Sequence, residues 1–389
     1  MESSFLVQIL RSLTTAERIA LRKWLLSPAH NHRNDVIRLF DLLNHTLNNP
    51  GGIPPKPGLY AQLFPGQAYD NRAFNLVVTY LTRQVEQFLA YQEWQQESAP
   101  QRLYTCRALR KRGLVQLFER DMNLLEARNQ TALHRHGAFF LFEYWLHNER
   151  FAEQNKRRRK TMENMAGDVR GAIHAVSSFF LLEYLRWLCT AESLRSMAPG
   201  YLTEPLPLAA EVLHYVAQLP PESFPTHATL YRCYLAQLDP ENDDNYHTLR
   251  HLIEKFGALF PQSECRDLYM TAINFCIRRH NRGDRTYTRE AFDWYRAALE
   301  KDLLLENGIL PDSTYTNIHN LAHLNGEHLW ARAFLDRYTS ALPANTRDNT
   351  YRYILATFYF RQNQYEQVLE LLKYTDFPDP FMHLDARKM

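Results

Sequence analysis

The sequence predicts an all-α protein: a right-handed α-solenoid of antiparallel helical hairpins, preceded by an N-terminal helical unit. Glycine is scarce, with 13 among 389 residues, and abundant Leu, Ala, Glu, Gln and Arg favour helices. No run alternates Val, Ile and Thr with polar residues as a strand would. Residues 312–374 read as two consecutive hairpins in which Ala322 and Ala356 stand 34 residues apart. A two-helix unit of that period is typical of stacked repeats.

Residues 1–98 are predicted to form the N-terminal helical unit. Thr14 and Glu17 match the S/T-x-x-E capping box, in which each side chain binds the other residue's backbone and a helix begins. The segment 50–65 holds five prolines, so we predict a loop there. Asp70 is expected to cap a long helix that buries one apolar face, because its apolar residues recur at i, i+3, i+4 and i+7.

Residues 99–198 are predicted to form a middle region of long helices with basic segments. Helices are expected near 131–154 and 169–197, and aromatic residues around most of their circumference indicate burial on several sides. The charge here is uneven. Residues 101–160 hold 14 Lys or Arg and 6 Asp or Glu, a local excess of +8 in a chain of net charge +2.

Residues 199–389 are predicted to form regular helical hairpins. Pro261, Pro311 and Pro343 stand at predicted helix boundaries, where proline is tolerated. The expected helix pairs are 226–238 with 246–259, 264–280 with 287–305, 313–324 with 327–342, and 346–361 with 365–375.

The last residues of the chain suggest that the array is incomplete. Terminal repeats normally end in a helix with a polar outer face. Phe381, Met382 and Leu384 would lack such a cover. We therefore expect either a chain that continues beyond Met389 or a partner that completes the array.

The last two hairpins resemble tetratricopeptide repeats. Ala322 and Ala356 match the small residue of the first helix in that family, and Tyr359 matches its aromatic position. Asn325 and Phe334 depart from the pattern. The match covers about 65 residues. The resemblance implies stacked helical hairpins with a concave face that holds a protein or peptide.

A second resemblance lies near the N-terminus. Residues 13–43, which include the run SPAHNHRNDVIRLFDLL, are similar to a group of uncharacterised helical proteins from Bacteroidota. No activity follows from this resemblance.

The preferred candidate site is the polar face that the last two hairpins would turn toward the groove. His, Tyr and Arg together suit an extended peptide or a carboxylate. The candidate partner-binding residues are Thr316, His319, His323, Glu327, Tyr353, Thr357 and Arg361. His319 and His323 stand four apart, as two zinc ligands on one helix can, so a metal enzyme or hydrolase is a third hypothesis. No H-E-x-x-H motif accompanies them.

An alternative site lies in the basic middle region. Basic clusters attract nucleic acids and other polyanions. Such a run is also common where a helix ends, because cations favour that terminus. The candidate polyanion-binding residues are Arg107, Arg110, Lys111, Arg157, Arg158 and Arg159.

The sequence shows no catalytic signature. It has no phosphate-binding glycine loop and no G-x-S-x-G motif. Its five cysteines form no C-x-x-C pair, which is typical of a reducing compartment. We find neither a signal peptide nor a membrane span. We therefore expect a cytoplasmic, non-enzymatic scaffold that binds a protein or peptide, without metal or cofactor. The alternative is a nucleic-acid-associated regulator.

Overall fold

The computed structural model describes residues 4–373 except 48–51, 97, 157–161 and 199, together with residues 383, 384 and 386. These residues form an all-α protein with 18 α-helices. Within them no strand forms, and pairing of β type is confined to one isolated bridge between Glu306 and Ile309. Phe381 and Met382, which were expected to need a cover, lie outside the described residues. No helix in the described part of the chain combines the length and apolar character that crossing a bilayer requires.

The chain divides into two compact units, residues 1–125 and 126–389. The boundary falls inside one helix, α7. The three-part division at 98 and 198 stays a prediction. The helices that begin in the first unit are α1 Phe5–Ser12, α2 Thr15–Leu26, α3 Asn34–Leu47, α4 Lys56–Leu63, α5 Asn71–Gln96, α6 Ser98–Lys111 and α7 Val115–Gln130.

The second unit holds the remaining helices. They are α8 Gly137–Lys156, α9 Met162–Met197, α10 Ala209–Ala217, α11 Pro225–Leu238, α12 Asp243–Phe256, α13 Gln262–Asn281, α14 Thr286–Glu300, α15 Asp312–Leu324, α16 His328–Tyr338, α17 Arg347–Arg361 and α18 Tyr365–Leu372.

The first unit packs α1 to α5 around one apolar core. The predicted capping box begins α2, because Thr14 Oγ1 accepts from the Glu17 N–H at 3.2 Å and the Thr14 N–H donates to Glu17 Oε2 at 2.7 Å. Asp70 Oδ1 accepts from the N–H groups of Arg72 and Ala73 and so caps α5, as expected. These predictions are confirmed.

Helix α4 corrects the predicted proline-rich loop. It lies within 50–65, with a proline in its first turn. A first-turn residue has no intrahelical partner for its N–H, so Pro57 costs nothing there. Leu59, Tyr60 and Leu63 are buried in the core. The prolines therefore mark the start of a helix that packing stabilises.

Helix α8 begins at Gly137 and not near residue 131, as predicted. The Arg135 guanidinium donates to the carbonyls of Gln130, Ala132 and His134, which ties the chain after α7 into an irregular turn. The Arg135 N–H donates to the Leu259 carbonyl at 2.8 Å. A helix that continued through residues 131–136 would need these carbonyl and N–H groups for its own backbone hydrogen bonds.

The helices of the second unit pack in consecutive pairs around one core. The pairs are α8 with α9, α11 with α12, α13 with α14, α15 with α16, and α17 with α18. Successive pairs also touch: α11 contacts α9, α13 contacts α11 and α12, α15 contacts α14, and α17 contacts α15 and α16.

The turns of the last two pairs are 37 residues apart, not 34. Gly326 has φ +75° and Asn363 has φ +60°, and each ends the first helix of its pair. The Glu327 N–H donates to the Ala322 carbonyl at 2.9 Å, and the Gln364 N–H donates to the Tyr359 carbonyl at 3.0 Å. These are equivalent helix-ending bonds. At the turn, Ala322 is therefore matched by Tyr359 and not by Ala356.

Candidate functional site

Helices α15 and α17 lie against each other and carry all the predicted partner-binding residues except Glu327. Thr316, His319 and His323 are on α15, and Tyr353, Thr357 and Arg361 are on α17. The structure thus brings two stretches of sequence together at one helix–helix contact.

His319 is the buried centre of this group. Its side chain is 0% exposed, and neither ring nitrogen has a hydrogen-bond partner among the described residues. Burial, followed by the charges of Arg361 and His323, lowers its pKa to about 3, against a small opposing effect of Asn320. The ring is therefore neutral at physiological pH. A buried polar group without a partner is costly, and it is often found where water or a ligand belongs.

Arg361 supplies the positive charge of the site. It is the last residue of α17 and is exposed. Partial burial of its guanidinium lowers its pKa, and the charge of Tyr353 acts in the opposite direction. Arg361 makes no hydrogen bond or ion pair with any described residue. Its five N–H donors are therefore available to an anion.

His323 lies between the buried ring and the surface. It is half-buried, and its Nδ1 has no hydrogen-bond partner in the described part of the chain. Burial, then Arg361 and then His328, lowers its pKa. Among the described residues, no carboxylate acts on His319, His323 or Arg361. The local field therefore favours a negative ligand.

Thr316 and Thr357 each donate a hydrogen bond to the backbone of their own helix. Thr316 Oγ1 donates to the Asp312 carbonyl at 2.8 Å, and Thr357 Oγ1 donates to the Tyr353 carbonyl at 3.0 Å. Bonds of this kind to the preceding turn are usual for threonine in a helix. We assign these residues to the wall of the site.

Glu327 is not brought to this group. It precedes α16, and its Oε1 accepts from Arg289 Nη1 at 2.8 Å. The left-handed Gly326 ends α15, so Glu327 does not continue the helical face of His319 and His323. Its carboxylate instead joins the turn to α14.

Asn320 is a site residue that the sequence reasoning missed. Its Oδ1 is buried and has no hydrogen-bond partner among the described residues. It follows His319 directly in α15, and its side chain acts on the His319 ring by opposing the lowering of that ring's pKa. No motif signals this, because asparagine in a helix is ordinarily solvated.

Two adjoining cavities lie farther along the array, among α9, α11 and α13. Their volumes are about 240 and 250 Å³, and both are lined by Ser193, Gln237, Thr271 and Asn274. Gln237 is held between neighbouring helices: its Oε1 accepts from Ser193 Oγ at 3.0 Å and its Nε2 donates to Thr271 Oγ1 at 3.2 Å. The four residues that the cavities share are polar, and the Gln237 side chain is held in place by bonds to both neighbouring helices.

Glu264 and Asp267 line one of these cavities together with Arg186, and Glu192 lines the other together with Arg278. Burial, and next the charge of Glu183, raise the pKa of Glu264 to about 6. Burial also raises the pKa of Asp267. Each cavity therefore has both acidic and basic side chains in its lining, and burial favours the neutral form of Glu264 and Asp267.

The described residues do not form a metal site around His319 and His323. Within the described residues, no group of three or more His, Cys, Asp or Glu is placed to hold a metal ion. His319 and His323 have their rings against Phe358 and His328 respectively. The hypothesis of a metal enzyme gains no support from this geometry.

The basic candidates are only partly described. Arg107 and Arg110 are half-buried on α6, and Lys111 is exposed at its end. The Arg107 guanidinium lies 5.4 Å from the Tyr104 ring centre. Arg157, Arg158 and Arg159 lie outside the described residues. Polyanion binding by these residues stays a prediction.

Comparison with known proteins gives no relative. A scan against protein-family models and searches of the curated proteins and the solved structures find no match to this chain. The resemblance to tetratricopeptide repeats therefore stays an interpretation of residue spacing. Function is inferred from the site itself.

Proposed function

We propose that this chain is a non-enzymatic scaffold that binds an extended protein segment through an acidic anchor. Arg361 receives a carboxylate of that segment, and His323 and Tyr353 flank it. The observation that carries the proposal is the Arg361 guanidinium beside His319. Among the described residues, neither this guanidinium nor the two His319 ring nitrogens have a hydrogen-bond partner. Charge-assisted bonds from Arg to a carboxylate are among the strong interactions at protein surfaces.

The proposal includes a finer architecture, a right-handed solenoid with a concave face like that of tetratricopeptide repeats. Its support is the packing of consecutive helix pairs, with α9, α11 and α13 touching in series and α15 touching α17. In such a stack one helix of each pair lines the concave side; here these helices would be α9, α11, α13, α15 and α17, of which α9 is the second of its pair. The cavities among α9, α11 and α13 and the Arg361 site would then lie along one surface.

An anion is favoured at Arg361 by the charges already present. Both histidines are held neutral in part by Arg361. A carboxylate would offset that positive charge. The carboxylate would also accept hydrogen bonds from the Arg361 guanidinium, whose N–H groups have no acceptor among the described residues. A cationic ligand would be repelled by Arg361 and would find no carboxylate among the described residues that act on this site.

A protein segment is favoured over a small anion because the polar positions extend over several helices. Extended peptides gain affinity from repeated backbone contacts along a groove, and charged anchors give specificity. Gln237 and Asn274 line both cavities, and their amides can meet peptide groups. The partner is therefore expected to carry an acidic residue or its C-terminal carboxylate within an otherwise unfolded stretch.

Peptide selection tests the proposal. A library of random 12-residue peptides with free C-termini is panned against the wild-type chain, Arg361→Gln and Arg352→Gln. Arg352 is an exposed residue of the same helix that does not act on His319 or His323. We expect acidic peptides to be enriched on wild type and on Arg352→Gln, and lost on Arg361→Gln. Selected peptides that bind all three proteins equally would reject the acidic anchor.

A further inference from the structure

A cavity of about 390 Å³ opens between α14 and α16, outside the site described above. Its wall on α16 is aromatic. The rings of Trp330 and Phe334 stack with centres 5.4 Å apart and planes inclined by 9°. Phe292 meets Trp330 edge to face at 4.9 Å, which fixes the indole from behind. These ring contacts hold the Trp330 indole in one orientation at the cavity wall.

The opening of the cavity depends on a small residue. Ala333 lines it and is exposed, between the larger side chains of the same helix. A larger residue at 333 would project into the space from the solvent side. The volume falls within the range of about 300–1,000 Å³ that small-molecule sites occupy.

The charges around the cavity are unbalanced. Arg296 and Arg337 line it, with their guanidiniums 5.7 Å from the Phe292 ring centre and 5.3 Å from the Tyr338 ring centre. Neither makes a hydrogen bond or ion pair to any described residue. Glu300 is the one carboxylate in the lining. Two unpaired guanidiniums against a single carboxylate favour an anion.

We propose that this cavity binds a planar aromatic small molecule that carries an anionic group, a carboxylate, sulfonate or phosphate. The ring stacks on the aromatic wall, and Arg296 and Arg337 bind the anion. The site is independent of the acidic-anchor function, because it lies on the second helices of two pairs and shares no residue with α15 or α17.

Ligand-observed NMR titration with three matched probes tests the proposal. 2-Naphthoate has both the ring and the charge, 2-naphthamide has the ring alone, and acetate has the charge alone. We expect saturable binding of 2-naphthoate with a Kd below about 1 mM. 2-Naphthamide should bind at least tenfold more weakly, and acetate should show no saturation.

Two variants and a control locate the binding. Ala333→Trp fills the cavity, and Arg337→Gln removes one cation at an exposed position that folding tolerates. Arg332→Gln is the control, because Arg332 pairs with Asp336 on the same helix and does not line the cavity. We expect at least tenfold weaker 2-naphthoate binding in the first two and no change in the third. Equal binding of the naphthoate and the amide, or full binding by Ala333→Trp and Arg337→Gln, would overturn the proposal.

Discussion

The imidazole of His319 meets the Phe358 ring edge to face, with ring centres 6.1 Å apart and planes inclined by 61°. A histidine thus takes the place of an apolar side chain at the contact of α15 and α17. It stays neutral there because it is fully buried and because Arg361 is near. This contact forms the buried side of the proposed site. Acid can destabilise the fold here, because protonation would place a charge on a buried ring.

Acid should destabilise the second unit through His319. Its pKa is about 3 in the folded protein, and it is about 6.5 in an unfolded chain. Between these values the unfolded state binds more protons, so stability rises with pH and is lost as pH falls below 6.5. For this residue alone we expect a loss of about 2 kcal/mol at pH 5 relative to pH 7.5.

The variant His319→Phe isolates that contribution. In urea unfolding, the difference in stability between pH 7.5 and pH 5 should be about 2 kcal/mol smaller for His319→Phe than for wild type. For each protein, the free energy of unfolding at pH 7.5 is the reference value for the change at pH 5. An unchanged pH dependence would show that His319 is not a buried neutral ring.

Tyr246→Phe should destabilise the second unit. The Tyr246 hydroxyl is fully buried, accepts from Trp294 Nε1 at 2.9 Å and from Cys276 Sγ at 3.1 Å, and donates to the Glu290 carboxylate. Removing the hydroxyl takes one hydrogen bond from each of these groups, and we expect the free energy of unfolding to fall by about 1–3 kcal/mol. Urea unfolding measures the change. The exposed Tyr215→Phe is the control, and a change within about 0.5 kcal/mol is expected there.

Two glycines of α9 should respond oppositely to alanine. A Cβ at Gly167 meets nothing within 4 Å, so Gly167→Ala should stabilise the protein by about 0.5–1 kcal/mol. A Cβ at Gly171 would stand 2.3 Å from His147 Nε2. His147 Nδ1 is 3.2 Å from Asp168 Oδ1, so the ring cannot move without loosening that contact. Gly171→Ala should therefore lower the midpoint of thermal unfolding, and an increase equal to that of Gly167→Ala would contradict this packing.

Local signals in the sequence predicted much of the fold. Thr14 and Asp70 marked helix starts correctly, because a cap depends on residues within one turn. Helix α4 was missed because a cluster of prolines is also typical of loops, and only the burial of Leu59 and Leu63 distinguishes the two. The helix ends predicted at residues 324 and 361 are confirmed and stand 37 residues apart, so the spacing of 34 holds for Ala322 and Ala356 but not for the turns.

The sequence predicted which residues of the candidate site lie near each other, but it did not predict their hydrogen bonds. Helical spacing placed His319 and His323 on one face, and the repeat placed Arg361 near them. Gly326 is a local signal that the helical face ends before Glu327. The bond from Arg289 to Glu327 joins residues 38 apart in sequence, so no local pattern predicts it. The unpaired state of His319 and Asn320 depends on the neighbours that packing supplies.

The most direct test of the acidic anchor is a double-mutant cycle by isothermal titration calorimetry. A peptide selected by wild type and its variant with the anchoring Asp or Glu changed to Asn or Gln are titrated into wild type and Arg361→Gln. If Arg361 receives that carboxylate, the two changes should be coupled by at least about 1 kcal/mol. Additive effects, with a coupling below about 0.5 kcal/mol, would contradict the account.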